Sequence, residues 1–125
     1  MIKILFIEDE MRLHENFEEL FKTEDLELIS SYDGESGLRL AEETTPDLIL
    51  LDLILPRKNG FEVLEKLKSN PRLVNIPVIV LSNLGGIQDI KKAIALGADV
   101  YLEKANYSLD DVLEKIKEIL KKRKP

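Results

Sequence analysis

Four apolar stretches of this chain each run into residues that can do chemistry. Ile4-Leu5-Phe6-Ile7 leads to Glu8-Asp9-Glu10, and Leu48-Ile49-Leu50-Leu51 leads to Asp52. Val78-Ile79-Val80-Leu81 leads to Ser82-Asn83, and Val100-Tyr101-Leu102 leads to Glu103-Lys104. Brought to one place, these ends gather several carboxylates, a hydroxyl and a lysine. Clustered carboxylates resist ionising together. A hard divalent cation resolves that conflict: Mg2+ takes oxygen ligands octahedrally, keeps several waters and works with phosphate as a co-ligand. A carboxylate beside such an ion can act as a nucleophile toward phosphorus. A lysine can neutralise the phosphoryl oxygens and a hydroxyl can hydrogen-bond them. The set suits phosphoryl transfer onto an aspartate. Asp52 carries most weight, because four apolar residues anchor its backbone in a sheet centre, where a charge without a partner is costly. Glu10 suits the first turn of a helix instead.

The elements that would position these groups follow from hydrophobic patterning. Ile2 to Ile7 is the first strand. The runs Leu48 to Leu51 and Val78 to Leu81 fit central parallel strands covered on both faces. Leu26 to Ser31 and Val100 to Leu102 are more mixed, as edge strands are. Between them lie helical patterns: Leu13, Phe17, Leu20 and Phe21 share a face, as do Ile87, Ile90 and Ile94. Gly34 to Glu43 and Phe61 to Ser69 are shorter helices. The last helix carries Leu109, Val112, Leu113, Ile116, Ile119 and Leu120 at three-and-four spacing, with Ser108 and Asp111 as its capping box. Turn residues separate the elements at Asp33-Gly34, Thr45-Pro46, Asn59-Gly60, Asn70-Pro71, Gly85-Gly86 and Gly97. Five strands alternating with five helices predict an α/β protein, a doubly wound parallel sheet of order 2-1-3-4-5. That order sets the ends of strands 1 and 3 side by side at the switch point, where open α/β sheets hold ligands.

Composition narrows the classes. A chain of 125 residues, 44% hydrophobic and 34% charged, is expected to form one globular domain over 1–125, with 119–125 the end of the last helix and a basic tail. It has no cysteine, which excludes disulfides, thiolate nucleophiles and cysteine-ligated metals. No apolar run is long enough to span a membrane and no signal-peptide layout opens the chain, so the expected compartment is the cytoplasm. A net charge of −6 argues against direct nucleic-acid binding. The basic block Lys121, Lys122, Arg123 and Lys124 is expected to complement the negative end of the last helix. His14, the single histidine, is expected at the surface, off the Leu13–Phe17–Leu20 face, and Lys58 is expected to be solvated near the mouth.

From Lys3 to about Leu120 the chain resembles the receiver domain of two-component response regulators. Ile4-Leu5-Phe6-Ile7-Glu8-Asp9-Glu10 is similar to that family's first strand and acidic pair. Pro46 through Pro56 resembles its phosphoacceptor strand, followed by the Asn59-Gly60 turn. Pro77 through Ser82 resembles its fourth strand, and Gly97 through Lys104 the approach to its lysine. The resemblance implies a flavodoxin-like fold and a phosphoacceptor at Asp52, supplied by phosphohistidine on a sensor histidine kinase or a histidine phosphotransfer protein. It implies Mg2+ held by Asp9, Asp52 and the backbone carbonyl of Ile54, with Glu8 assisting directly or through a water, since glutamate here replaces the aspartate common at that place. It implies that Ser82 and Lys104 bind phosphoryl oxygens and that Tyr101 turns inward as Ser82 moves. The face made by helix 4, strand 5 and helix 5 would then report the state to a downstream effector protein or domain, or form a phosphorylation-dependent homodimer. Such a protein is a signalling phosphoacceptor that catalyses only its own phosphorylation and slow dephosphorylation.

Several positions depart from the family pattern. Ala105 follows the lysine where proline joined by a cis bond is usual. A non-proline cis bond costs about 2.5–4 kcal/mol, so a trans bond and a rebuilt loop are expected. Asn83 replaces a small residue and is expected to narrow the mouth. Ile54 and Leu84 are both apolar where family members tune hydrolysis, which predicts a long-lived phosphoryl group. Three rivals share parts of the pattern. A flavodoxin would need a phosphate-cradling first loop, which Glu8-Asp9-Glu10 would oppose. A haloacid-dehalogenase-type phosphatase would need an acid where Ile54 stands. A phosphorylation-independent docking scaffold would keep the fold without the chemistry.

Overall fold

Strand β1 (Ile2–Ile7) starts the chain and sits inside the sheet, where the last four of its residues are buried. The computed structural model describes residues 1–123. After β1 come α1 (Met11–Phe21), β2 (Leu26–Ser31), α2 (Gly34–Thr44), β3 (Leu48–Leu51), α3 (Gly60–Ser69), β4 (Val78–Ser82), α4 (Ile87–Ala95), β5 (Val100–Glu103) and α5 (Leu109–Arg123). All pairings are parallel and the strand order is β2-β1-β3-β4-β5, the predicted doubly wound order. Every residue of β3 and β4 is buried, which is why those two strands read as unbroken apolar runs.

The two-residue period of a strand divides the core into two layers. Leu5, Ile7, Ile49, Leu51, Val78 and Val80 face one side, where Ala41, Val63, Leu64, Leu67 and Ala93 of α2, α3 and α4 cover them. Ile4, Phe6, Leu48, Leu50, Ile79, Leu81 and Leu102 face the other, under Phe17 and Phe21 of α1 and Val112, Leu113 and Ile116 of α5. Right-handed crossovers put helices on both faces, and both must be apolar for this to hold.

The helix starts bring the loops back to the mouth. Asp33 Oδ1 accepts from the Ser36 amide at 2.8 Å, and Asn59 Oδ1 accepts from the Glu62 amide at 3.0 Å. The capping box at α5 is present in both directions: Asp111 N donates to Ser108 Oγ at 3.1 Å and Ser108 N donates to Asp111 Oδ2 at 3.0 Å. Gly60 admits no side chain, since a Cβ there would lie 2.3 Å from Leu53 Cα and 2.5 Å from the Asp52 carbonyl. The loop after β3 therefore folds back tightly on the strand that carries Asp52. Within it Arg57 takes a left-handed φ of 71°.

Two expectations need correction at this level. The Ile87, Ile90, Ile94 stripe of α4 does not face the core as a unit; Ala93 is the buried residue of that helix, and Ile87 and Ile94 are 69% and 48% exposed. Lys58 is partly covered rather than solvated, with its ammonium 3.6 Å from the Glu62 carboxylate one helical turn on. The basic block lies at the end of α5 as expected for Lys121, Lys122 and Arg123, while Lys124 and Pro125 fall outside the described residues.

Candidate functional site

The ends of β1, β3, β4 and β5 converge as the strand order requires. Ile7 pairs with Leu51, Leu51 with Val80, and Ser82 with Glu103, so the residues just beyond these ends are neighbours. The ladder continues one step further at Asp52, whose amide donates to the Ile7 carbonyl at 3.0 Å. Asp52 is thus tied to β1 by a backbone bond although it stands past the end of β3. It is 4% exposed.

Three donors surround its carboxylate. Ser82 Oγ donates to Oδ1 at 2.9 Å, the Ile54 amide to the same oxygen at 3.2 Å, and Lys104 Nζ to Oδ2 at 3.0 Å. Ser82 is fully buried, and its hydroxyl is aimed by the β4 register. Lys104 comes from the end of β5, in a single 3-10 turn of Lys104–Asn106. The Lys104–Ala105 peptide is trans, as expected, for there is no cis peptide bond among the described residues.

Glu8 completes the cluster and is the residue most out of balance. It is 1% exposed. Its Oε2 accepts from the Glu10 amide at 3.0 Å. Its Oε1 is buried and lies 2.7 Å from Lys104 Nζ, yet the contact is too poorly aligned to count as a hydrogen bond. Burial pushes the Glu8 carboxyl up to about 7, with the Asp52 charge adding to it, against downward pulls from Lys104 and the Glu10 amide. For Lys104 burial acts to lower the pKa, but Glu8 and Asp52 together outweigh it and hold the ammonium above its ordinary value. One oxygen each from Glu8, Asp9 and Asp52 lies within 4.8 Å of the others, with Asp9 exposed at the entrance. Two of these carboxylates, Glu8 and Asp52, share the Lys104 ammonium and Asp9 stands beside them, so the mouth carries excess negative charge that a divalent cation would relieve.

The remaining predicted residues form a rim. Asn83 is exposed and Leu84 is half-buried. Ile54 has an exposed side chain, at 54%, and its amide turns toward Asp52. The Tyr101 hydroxyl donates to the Leu84 carbonyl, which ties β5 to the β4–α4 loop. Burial raises the Tyr101 phenol, helped by Asp89, Glu103 and Asp52. Glu10 occupies the N-cap position of α1 but its side chain caps nothing.

His14 corrects the sequence reading outright. It is 3% exposed, with Nε2 2.7 Å from the Glu8 carbonyl and Nδ1 2.8 Å from Ser30 Oγ. The signal was present in the spacing: His14, Phe17 and Phe21 stand at i, i+3 and i+7, and these three are the buried residues of α1. Choosing Leu13 as the start of the face rotated His14 out of it.

Comparison with known proteins settles the family. The family model for the response regulator receiver domain matches residues 4–117. This chain belongs to that family. The receiver is 38% identical over 122 residues to the transcriptional regulatory protein CiaR of Streptococcus pneumoniae, covering 98% of this chain and 53% of CiaR. It is 34% identical to the DNA-binding dual master transcriptional regulator RpaA of Synechocystis, covering 98% of this chain and 50% of RpaA. The receiver therefore spans about half the length of the curated relatives it matches. Among solved structures it superposes on a Francisella response regulator receiver domain with a TM-score of 0.90 at 25% identity, covering 99% and 100% of the two chains. It is also similar to the Mn2+-bound form of response regulator Rcp1, with a TM-score of 0.81 at 35% identity over 95% and 91%. The receiver is thus a two-component signalling module, and no helix among its described residues is long and apolar enough to cross a membrane.

Proposed function

We propose that Asp52 is the phosphoacceptor of this receiver and that Mg2+ supports the transfer. The donor is phosphohistidine on a sensor histidine kinase or a histidine phosphotransfer protein. A carboxylate oxygen of Asp52 forms the new O–P bond as the donor's N–P bond breaks, and the leaving imidazole takes up a proton. The observation that carries this reading is the Asp52 carboxylate itself: buried, fixed by the strand ladder, and met by Ser82, Lys104 and the Ile54 amide within 3.2 Å.

The metal fits the residues present. Glu8, Asp9 and Asp52 offer hard oxygen donors, and the buried Glu8 Oε1 lacks a well-aligned partner. Asp9, Asp52 and the Ile54 carbonyl would hold the ion, with Glu8 joining directly or through a water. When bound, Mg2+ supplies positive charge to the phosphoryl oxygens. Lys104, released from sharing two carboxylates, neutralises a phosphoryl oxygen, and Ser82 hydrogen-bonds another. Movement of Ser82 changes what the β4–α4 loop rests on, and Tyr101, bonded to Leu84 in that loop, transmits the change to the face of α4, β5 and α5. That face binds a downstream effector protein or domain, or a second receiver. The domain itself does not grip nucleic acid, given its charge of −6. It works as one unit over 1–125 in the cytoplasm. Ile54 and Leu84 cannot orient an attacking water, so the phosphoryl group is long-lived, and Asn83 at the rim limits access.

The test is intact mass after incubation with Mg2+ and acetyl phosphate, or with a phosphorylated histidine phosphotransfer protein, beside an Asp52→Asn control. A gain of one phosphoryl group in the wild type alone is the expected result. No gain from either donor would leave a docking scaffold. Replacing Ile54 and Leu84 with polar residues should shorten the lifetime of the phosphorylated form, and an unchanged decay would refute the hydrolysis argument.

A further inference from the structure

The acidic loop after β1 is held from behind by helix α1. The His14 ring is 3% exposed and packs against Phe6, with centroids 4.5 Å apart, and against Tyr32, also at 4.5 Å. Nε2 lies 2.7 Å from the Glu8 carbonyl, which can only accept, so Nε2 carries the proton. In the neutral ring Nδ1 then accepts from Ser30 Oγ at 2.8 Å. A neutral imidazole with both nitrogens satisfied has one orientation here, fixed from β2 on one side and by ring packing on the others. The Glu8 amide is fixed as well, donating to the Ser31 carbonyl at 3.0 Å, and the Glu10 amide is tied to Glu8 Oε2. Asp9 is exposed, so no packed neighbours hold its side chain, and its backbone sets the point from which the carboxylate reaches.

We infer that His14 is a positioning residue for the metal site: its bond to the Glu8 carbonyl sets the Glu8–Asp9 peptide and so aims Asp9 at the place it shares with Glu8 and Asp52. The inference rests on the Mg2+ reading above. Groups that orient the groups touching a metal typically change its affinity by about 10–100-fold when lost.

The experiment titrates the whole chain with Mg2+ by calorimetry and with Mn2+ by electron paramagnetic resonance. It compares wild type, Asp9→Asn, His14→Gln, His14→Asn and His14→Leu, each with a thermal melt. The glutamine amide N–H reaches where Nε2 stands, whereas the asparagine amide reaches only as far as Nδ1. Wild type should bind and Asp9→Asn should not. His14→Gln should stay close to wild type, and His14→Asn and His14→Leu should bind about tenfold more weakly while still melting cooperatively. If His14→Leu does not fold, the glutamine and asparagine pair decides, since both place an amide in the same pocket. Equal binding by wild type and His14→Asn would overturn the positioning role alone. So would His14→Gln binding as weakly as His14→Asn, because packing rather than the bond would then be responsible. A wild type that binds no better than Asp9→Asn would overturn the Mg2+ reading and this inference with it.

Discussion

Two buried polar clusters meet at Glu8, and they are built on opposite terms. In front, the Glu8 side chain joins Asp52, Ser82 and Lys104 in a group with more negative charge than its one lysine balances. Behind, the Glu8 carbonyl joins His14 and Ser30 in a neutral group with each ring nitrogen satisfied. The first has an electrostatic need that the proposed cation and phosphoryl group would meet. The second has nothing left to bind and holds backbone. Burial alone does not mark a functional group; burial with an unmet electrostatic need does.

The two clusters also respond to pH in opposite directions. Glu8 has a folded-state pKa of about 7 against an ordinary 4.5. Its folded form holds a proton that the unfolded chain gives up, so stability is full below about pH 4.5 and is lost as pH rises through about 7. Burial lowers the His14 pKa below its ordinary 6.5. Here the unfolded chain takes up the proton first, so stability is full above about 6.5 and is lost as pH falls below it.

The largest way to break the contrast is Lys104→Met. It should slow phosphorylation about a hundredfold, as loss of a charge-stabilising donor does. In EDTA it should also lower the urea midpoint more at pH 8 than at pH 5, because Glu8 must then ionise without its ammonium. A loss independent of pH would mean that Lys104 contributes only packing. Next comes Glu8→Gln, which removes the cost of ionising a buried carboxyl. In EDTA at pH 8 it should stabilise the protein by on the order of 2 kcal/mol, and the gain should vanish near pH 4.5. Millimolar Mg2+ should stabilise the wild type more than this variant, and an identical response would remove Glu8 from the metal site.

A smaller effect sharpens the comparison. In the Glu8→Gln background, stability should rise from pH 5 to 7, the His14 slope alone. In the His14→Gln background it should fall over the same range. Parallel curves for the two variants would show that the groups do not titrate as described. The smallest effect belongs to Ser30→Ala, which leaves Nδ1 without its donor and should cost about 1 kcal/mol in a chemical unfolding series. A destabilisation as large as that of His14→Leu would make Ser30 the principal anchor.

Much of the site could be read from the residues because strand ends are simple to locate. An apolar run that stops at Asp52, Ser82 or Glu103-Lys104 places those groups at one edge of a parallel sheet, whatever the helices do. The helices were less legible. Both α4 and α5 show isoleucines and leucines at helical spacing, yet α5 buries Val112, Leu113 and Ile116 while α4 buries only Ala93 and leaves Ile87 and Ile94 outside. Periodicity predicts a helix and an apolar stripe; which part of the stripe meets the sheet depends on how the helix is rotated. The same rotation decided His14. One step around α1 separates the face that starts at Leu13 from the face that His14 shares with Phe17 and Phe21.

By itself the sequence determined the order of elements, the doubly wound sheet and the set of groups at its mouth. Those follow from hydrophobic period, turn residues and the handedness of crossovers, all of which are local or generic. The tertiary structure alone decided which partners each group has. It gave Lys104 two carboxylates, left Glu8 Oε1 without an aligned donor, and set an imidazole under the Glu8 carbonyl. These outcomes turn on distances of a few tenths of an ångström between residues far apart in the chain, and on how much water remains around each charge. Both quantities exist only once the elements have packed.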